Sequence, residues 1–71
     1  MPLSIVESGK KVRIISVSAG RDLTERLASL GIVPGTEIEV LQNFSRGPFI
    51  VSVKGSRIMM GRGMACRIFV G

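Results

Sequence analysis

The chain has 71 residues, 45% hydrophobic and 21% charged, and its ten lysines and arginines against five aspartates and glutamates give a formal net charge of +5. A chain of this length holds one domain, which we expect to span residues 1–71, and it buries only about 60% of its unfolded surface. Its single cysteine, Cys66, excludes an internal disulfide, and no apolar stretch resembles a signal peptide or a bilayer span of roughly 20 residues, so we expect a cytoplasmic domain without direct membrane insertion.

The chain begins with a lead-in, residues 1–10, followed by a strand-like segment. Residues 11–17 alternate with a period of two, so Val12 and Ile14 fall on one face and Ile15 and Val17 on the other. Because both faces are partly apolar, we expect this strand to be covered on both sides.

Residues 21–30 have the period of an amphipathic helix, with three leucines on one face: Leu23, Leu27 and Leu30. Asp22 and Glu25 have the three-residue spacing of a capping box, which predicts the start of the helix at these side chains. Tertiary packing must stabilise so short a helix, because isolated helices under about 12 residues are marginal in water.

Gly31 and Pro34 predict the end of the helix. Glycine reaches positive φ without a Cβ clash, and proline cannot continue the helical hydrogen bonding. From residue 36 to residue 42 the side chains alternate, with Ile38 and Val40 on one side and two glutamates on the other. This pattern predicts a half-buried strand.

The second half of the chain contains three further short strands separated by turn-forming residues. They are predicted at residues 49–54, 57–60 and 66–70, with a loop at 43–48, a tight reversal at 54–56 and an interruption at 61–63. Cys66 shares a strand face with Ile68 and Val70, so we expect its thiol to be buried. Five strands and one short α-helix bury a continuous core best as a mainly β, SH3-like barrel.

The order of these residues resembles the FeoA family of small SH3-like proteins associated with bacterial ferrous-iron uptake. The shared positions are an Arg-Leu pair, a Leu-Gly-x-x-Pro-Gly turn and aliphatic or glycine positions in the strands and turns that follow: Arg26, Leu27, Leu30, Gly31, Ile32, Val33, Pro34, Gly35, Ile38, Val40, Gly47, Pro48, Val53, Gly55, Ile58, Met60, Ala65, Ile68 and Val70. The resemblance covers nearly the whole chain from Lys11 onward. It departs at residues 43–45, where the family often has an Ala-Pro pair, and at residues 61–63, where it often has charged residues.

The resemblance implies an accessory protein of FeoB, the membrane ferrous-iron transporter with a cytosolic G-protein domain, and it does not imply catalysis. The contact on the transporter would lie on the G-protein domain or on the membrane region. A cytoplasmic protein of this kind would be recruited to the inner face of the membrane by its partner. The family is also described as binding transition metal ions.

The residue inventory argues against an enzyme. The chain has no histidine and no Gly-x-x-x-x-Gly-Lys-Ser/Thr loop, so general acid-base catalysis falls to carboxylates and guanine nucleotide binding is not expected. Asp22 and Glu25 suit the helix start, and Glu37 and Glu39 suit the solvent face of a strand. We therefore predict no catalytic residue and no cofactor.

A resident iron site is not expected either. Ferrous sites usually draw on imidazole and carboxylate ligands. The sulfur-bearing residues near the end of the chain are Met59, Met60, Met64 and Cys66. Thioethers suit Cu(I) better than Fe(II), and methionine commonly fills irregular cores, so packing is the preferred interpretation.

The alternative function is a small basic SH3-like nucleic-acid-binding protein. The charge of +5 suits a polyanion, but the chain has no tryptophan or tyrosine and only three phenylalanines, Phe44, Phe49 and Phe69. Single-stranded nucleic acids are usually bound by stacking bases on aromatic rings. The scarcity of aromatic residues therefore favours a protein-protein surface, and no nucleic acid is expected as a partner.

The candidate surface lies around the helix and the neighbouring loops, where apolar residues have less reason to be buried than those on strands. Its predicted members are Leu27, Leu30, Ile32, Val33, Phe44, Arg46 and Met60. For Leu27 and Leu30 a place in the core is the preferred interpretation, because the same helical face must cover the barrel.

Overall fold

A computed structural model describes residues 1–44 and 47–71. In chain order these residues form a 3₁₀ turn at Leu3–Ile5, β1 at Lys11–Val17, α1 at Arg21–Ser29, β2 at Glu37–Gln42, β3 at Phe49–Val53, β4 at Ser56–Met60, α2 at Arg62–Ala65 and β5 at Ile68–Val70. The predicted mainly β architecture with five strands is confirmed. The four-residue helix α2 was not predicted, since residues 61–63 suggested only an interruption.

The strands form one antiparallel sheet in the order β4-β3-β2-β1-β5. Strands β2 and β3 alternate as predicted, with Ile38 and Val40 of β2 and Phe49, Val51 and Val53 of β3 all at most 1% exposed. These side chains form the centre of the core because successive residues of a strand point to opposite faces of the sheet.

Strand β1 has the predicted bounds, but the expectation that both its faces are covered is wrong. Ile14 is buried whereas Ile15 is 59% exposed. The pairing of β1 with β5 shifts register between Ile14 and Ser16, and Val17 packs against the core beyond that shift. A bulge redirects the side chains that follow it, so β1 contributes to the core from both halves without being covered on both faces.

The lead-in packs against the barrel. Leu3 and Val6 are buried in the core at 0% and 3% exposure. The backbone N–H of Val70 donates to the carbonyl of Met1 at 2.8 Å, and the amino terminus donates to the carbonyl of Val70 at 2.9 Å. Met1 and Pro2 therefore cover the outer edge of β5, and Leu3 and Val6 extend the core.

Helix α1 begins at Arg21, as predicted, but the predicted capping box of Asp22 and Glu25 is wrong. The N-cap is Gly20, and no side chain caps the first turn. Asp22 and Glu25 therefore lie two and five residues inside the helix, whereas a capping box needs the N-cap and the third helical residue. The Thr24 hydroxyl instead donates to the carbonyl of Ala19 at 3.2 Å.

The predicted end of α1 at Gly31 is confirmed. Gly31 has a φ of 92°, and a Cβ added there would lie 3.3 Å from Cγ1 of Val53 in β3. The left-handed backbone and the close approach to β3 both favour glycine at this position.

Replacing Gly31 with valine is expected to lower the free energy of unfolding by about 1–3 kcal/mol, because a β-branched residue is strained at positive φ. Denaturation followed by circular dichroism measures the change. Gly63→Val is the matched control, since Gly63 does not have positive φ and nothing lies within 4 Å of its added Cβ. Equal unfolding curves for the two variants would contradict the role assigned to Gly31.

The last predicted strand is shorter than expected, and the prediction of a buried Cys66 is wrong. Cys66 is exposed and forms the C-cap of α2, before β5 begins at Ile68. Ala65, one residue earlier, occupies the core at 0% exposure. The turn of α2 changes the side-chain period from two to that of a helix, which removes Cys66 from the face of Ile68 and Val70.

Candidate functional site

An open groove of about 330 Å³ separates α1 from β4 and α2. It is lined by apolar side chains, one glycine and one arginine: Leu23, Arg26, Leu27, Leu30, Ile58, Met59, Met60, Gly61 and Met64. Apolar lining residues with a single polar group are typical of a site that binds another molecule by burial.

Helix α1 forms one wall of the groove through its leucines. Leu27 is 4% exposed, and Leu23 is partly buried against the core. Leu30 is 50% exposed and is the C-cap residue of the helix. Leu23 and Leu27 therefore anchor the helix, whereas Leu30, one residue beyond its last residue, faces solvent.

Strand β4 forms the opposite wall. Met60 is 8% exposed and Ile58 packs against the core, whereas Met59 between them is 69% exposed. Alternation along the strand directs Met59 away from the core. Leu30 and Met59 therefore give the groove an exposed apolar rim.

The short helix α2, which supplies Met64, is linked to a neighbouring loop by Asn43. The Asn43 side-chain amide donates to the carbonyls of Ser4 and Val6 at 3.0 and 2.6 Å, and its oxygen accepts from the Arg62 guanidinium at 2.7 Å. The same guanidinium carbon lies 6.0 Å from the centroid of the Phe49 ring, within range of a cation-π interaction. Asn43 thus ties α2 to the N-terminal segment.

The one charged residue among the nine described residues that line the groove is basic. Arg26 lines it, Arg57 is exposed on β4, and none of the nine described lining residues carries a carboxylate. With a formal net charge of +5 on the whole chain, this surface attracts an acidic ligand more strongly than a basic one.

The groove brings together three of the predicted interaction residues, Leu27, Leu30 and Met60. Ile32 is 1% exposed, so it supports the barrel from inside the core and offers no surface. Val33 is half-buried and Phe44 is 58% exposed, and both lie outside the groove lining. Arg46 lies outside the described residues.

Six groove residues were not predicted to belong to an interaction surface: Leu23, Arg26, Ile58, Met59, Gly61 and Met64. Met59 had a usable signal, because it alternates with the two core-facing residues of its strand and therefore had to point outward. Met64 had none, since its position depends on the unpredicted helix α2.

The donor chemistry does not fit a resident metal. Within residues 1–44 and 47–71 no group of three or more histidine, cysteine, aspartate or glutamate side chains could hold an ion. Met59, Met60 and Met64 line the groove, and the exposed Cys66 thiol donates to the carbonyl of Gly63 at 3.1 Å. The sulfur-bearing stretch is thus divided between groove lining and a helix end.

No helix among the described parts of the chain has the length and apolar character needed to cross a bilayer.

The fold and sequence are similar to those of known iron-transport proteins. Residues 1–71 match the model of the FeoA domain. A protein of Methanocaldococcus jannaschii with the provisional name Fe(2+) transport protein A is 41% identical over 69 residues, which cover 97% of this chain and 83% of that protein.

Two solved structures superpose on nearly the whole chain. A crystal structure of an iron uptake regulatory protein, FeoA, has a TM-score of 0.91 and 37% identity, and the match covers 99% of this chain and 93% of that one. FeoA of Stenotrophomonas maltophilia, crystallised with zinc and described as a procaryotic SH3 domain protein, has a TM-score of 0.87 and 28% identity, covering 100% of this chain and 89% of that one.

The SH3-like architecture predicted from the sequence is thereby confirmed. The family match covers every residue, and the archaeal relative is 41% identical over 97% of the chain. The chain belongs to the FeoA family, whose members are accessory proteins of ferrous-iron transport and not enzymes.

Proposed function

We propose that this protein is an accessory of a FeoB-type ferrous iron transporter, which it binds and modulates through a protein-protein surface centred on the groove between α1 and β4. The observation that carries the proposal is the exposed apolar rim of that groove, Leu30 at 50% and Met59 at 69% exposure. The family membership supplies the context of ferrous-iron transport.

Burial of this rim supplies the free energy of association. Complete burial of a leucine or methionine side chain is worth about 1.5–3 kcal/mol, and Leu30 and Met59 have roughly half or more of their surface still to bury. Leu27 and Met60 are already buried beneath them, so a partner side chain entering the groove meets a preformed apolar floor. Preformed sites lose little conformational entropy on binding.

The positive charge of the chain supports the same function because it can raise the rate at which the chain associates with an acidic partner. Lys10 and Lys11 are exposed and lie outside the lining of the groove. Charges at the margin of an interface mainly raise the association rate towards a partner of opposite sign. Neutralising both lysines should therefore slow association more than it speeds dissociation.

The proposed role is recruitment and modulation of the transporter rather than carriage of iron. A carrier of Fe(II) needs imidazole or carboxylate ligands, and the chain has no histidine and no suitable ligand cluster among its described residues. The zinc in the Stenotrophomonas maltophilia structure belongs to that protein. Ferrous iron is the cargo of the transporter in this proposal, and the accessory acts at the cytosolic face of the membrane.

A binding titration tests the proposal. The purified chain is titrated against the full-length FeoB transporter of the same organism in lipid nanodiscs, and against its isolated cytosolic domain, by isothermal calorimetry. We expect saturable binding in the micromolar range or tighter to the full-length transporter. Empty nanodiscs control for lipid binding.

A parallel titration with an unspecific duplex DNA and a single-stranded RNA tests the alternative function. Phosphate binding would fall steeply as salt rises, because it depends on counterion release. Absence of transporter binding combined with salt-sensitive nucleic-acid binding near physiological salt would overturn the accessory role.

A further inference from the structure

The two edges of the sheet differ in what covers them. On β5, the outer edge is covered by the N-terminal segment, with hydrogen bonds between Met1 and Val70 and a bridge between Pro2 and Phe69. Strand β4 is the edge strand on the opposite side of the sheet. Within residues 1–44 and 47–71, β3 is the one strand that pairs with it.

The register identifies which backbone groups of β4 face outward. Lys54 and Gly55 form a two-residue turn with φ values of 51° and 83°, and Val53 pairs with Ser56 beside it. In such a hairpin the residues that flank the turn form a hydrogen-bonded pair, and hydrogen-bonded and non-hydrogen-bonded pairs then alternate.

This alternation divides the residues of β4 into two sets. Ser56, Ile58 and Met60 direct their N–H and C=O groups towards β3. Arg57 and Met59 therefore direct theirs to the open edge. The residue with outward backbone groups at the centre of the groove wall is Met59, whose side chain is also 69% exposed.

A sheet edge that pairs with no further described strand, and lies beside an apolar groove, can accept an added strand. Proteins usually protect such edges by charge, proline, a bulge or a covering segment. The pairing of β4 with β3 runs without a register shift from Ser56 to Met60, and Arg57 is the one charged residue in the strand. Apart from Arg57, β4 therefore has neither a charge nor a bulge that would oppose an added strand. When a strand is added to such an edge, main-chain hydrogen bonds supply affinity and alternate side chains of the added strand supply specificity.

We propose that β4 is a docking strand for an extended, acidic segment of the transporter, which adds to the sheet beside Arg57 and Met59 and inserts every second side chain, an apolar one, into the groove. The inference rests on the proposed function and names the kind of segment that the groove takes. The segment is acidic in this proposal because Arg26 lines the groove, Arg57 is exposed in β4 and no described lining residue is acidic.

A second copy of this chain fits the edge less well. Two copies would bring together two net charges of +5 and would place the arginines of both edges close to one another. Like charges at an interface oppose association. Self-association through β4 is therefore an outcome that would count against the proposal.

A designed peptide tests the geometry. The probe is a ten-residue capped peptide in which valine alternates with glutamate, added to the ¹⁵N-labelled chain. We expect shifted resonances for Arg57, Met59 and Leu30, and slower hydrogen exchange of the Arg57 and Met59 amides. A peptide that is N-methylated at every second residue, on the edge that faces β4, should bind about 10-fold more weakly or worse, because it lacks the donors for the ladder.

Two comparisons with modified peptides test the edge geometry and the charge of the segment separately. Equal affinity of the N-methylated peptide would show that side chains alone hold it. A peptide with lysine in place of glutamate that binds as tightly would remove the charge argument. Shifts confined to other surfaces, no binding at millimolar peptide, or concentration-dependent dimerisation through β4 would each reject the proposal.

A backbone variant connects the edge to the transporter. Met59→Pro removes the outward N–H but no hydrogen bond to β3, and proline is tolerated at edge positions of this kind. Met59→Val is the matched control with the N–H retained. We expect the proline variant to lose at least about 10-fold in transporter affinity relative to the valine variant, at equal melting temperature for the two.

The pattern of results separates this inference from the proposed function. Wild-type binding to the transporter with equal affinities for Met59→Pro and Met59→Val rejects the docking strand and leaves the accessory role intact. In a second pattern, the peptide protects the Arg57 and Met59 amides from exchange but the wild-type chain does not bind the transporter. That result rejects the accessory role, and it also rejects a transporter segment as the natural occupant of the edge. If the Met59→Pro variant unfolds, the comparison of the N-methylated with the unmethylated peptide tests the docking strand instead, because it leaves the protein unchanged.

Discussion

Replacing Phe49 with alanine is expected to lower the free energy of unfolding by about 3–5 kcal/mol, the usual cost of deleting a fully buried aromatic side chain. Phe49 is 0% exposed and the largest of the fully buried side chains among the described residues. It lies in β3, between β2 and β4, and its ring also faces the Arg62 guanidinium. A small domain has little stability to lose, so the variant should be largely unfolded or should melt roughly 12 °C or more below the parent.

Far-UV circular dichroism is the suitable measurement, because the chain has no tryptophan or tyrosine for fluorescence. Phe44→Ala is the matched control, since Phe44 is 58% exposed and its removal should change stability by less than about 0.5 kcal/mol. If both variants melted together with the parent, Phe49 would not be the centre of the core.

Introducing aspartate at Leu30 is expected to weaken transporter binding by about 30-fold or more, the equivalent of losing one interface hot spot of about 2 kcal/mol. Leu30 is 50% exposed on the rim of the groove, so a charge there disrupts burial of the partner. A new carboxylate would also repel the acidic segment proposed above. Leu30→Lys should lose less affinity, because it keeps the favourable sign of charge and also suits the C-terminal end of α1.

Surface plasmon resonance with the full-length transporter measures these affinities, and thermal melts show whether each variant is folded. Ile15→Asp is the control, because Ile15 is similarly exposed at 59% but lies in β1, outside the groove lining. A larger loss for Phe44→Asp than for Leu30→Asp would move the interface from the groove to the loop that precedes β3.

Much of this fold could be predicted from local patterns, because those patterns report on short stretches of backbone. The period of two that places Ile38 and Val40 on one face predicted β2, and the same period in Phe49 and Val51 predicted β3. The three-leucine face predicted α1. Gly31 could be identified as the helix end because a left-handed residue has few alternatives to glycine. The ordered glycine, proline and aliphatic positions were also sufficient to indicate the FeoA family.

The candidate site could be predicted only in part. The helix pattern identified the leucine face but did not distinguish the buried Leu27 from the exposed Leu30. Met60 was predicted at the surface and lies at the floor of the groove, whereas its neighbour Met59 forms the rim. A groove joins residues that are distant in the chain, so its members appear only when α1 is placed against β4.

By itself the sequence determined the strand-rich class, the position of α1, the glycine at its end and the family. The tertiary structure decided which face of β1 is covered, whether Cys66 is buried and which sheet edge stays open. These features depend on the register shift in β1, on the unpredicted turn of α2 and on the N-terminal segment beside β5. The physical reason is that burial and edge coverage are set by contacts between segments far apart in the chain, whereas periodicity reports only on neighbours.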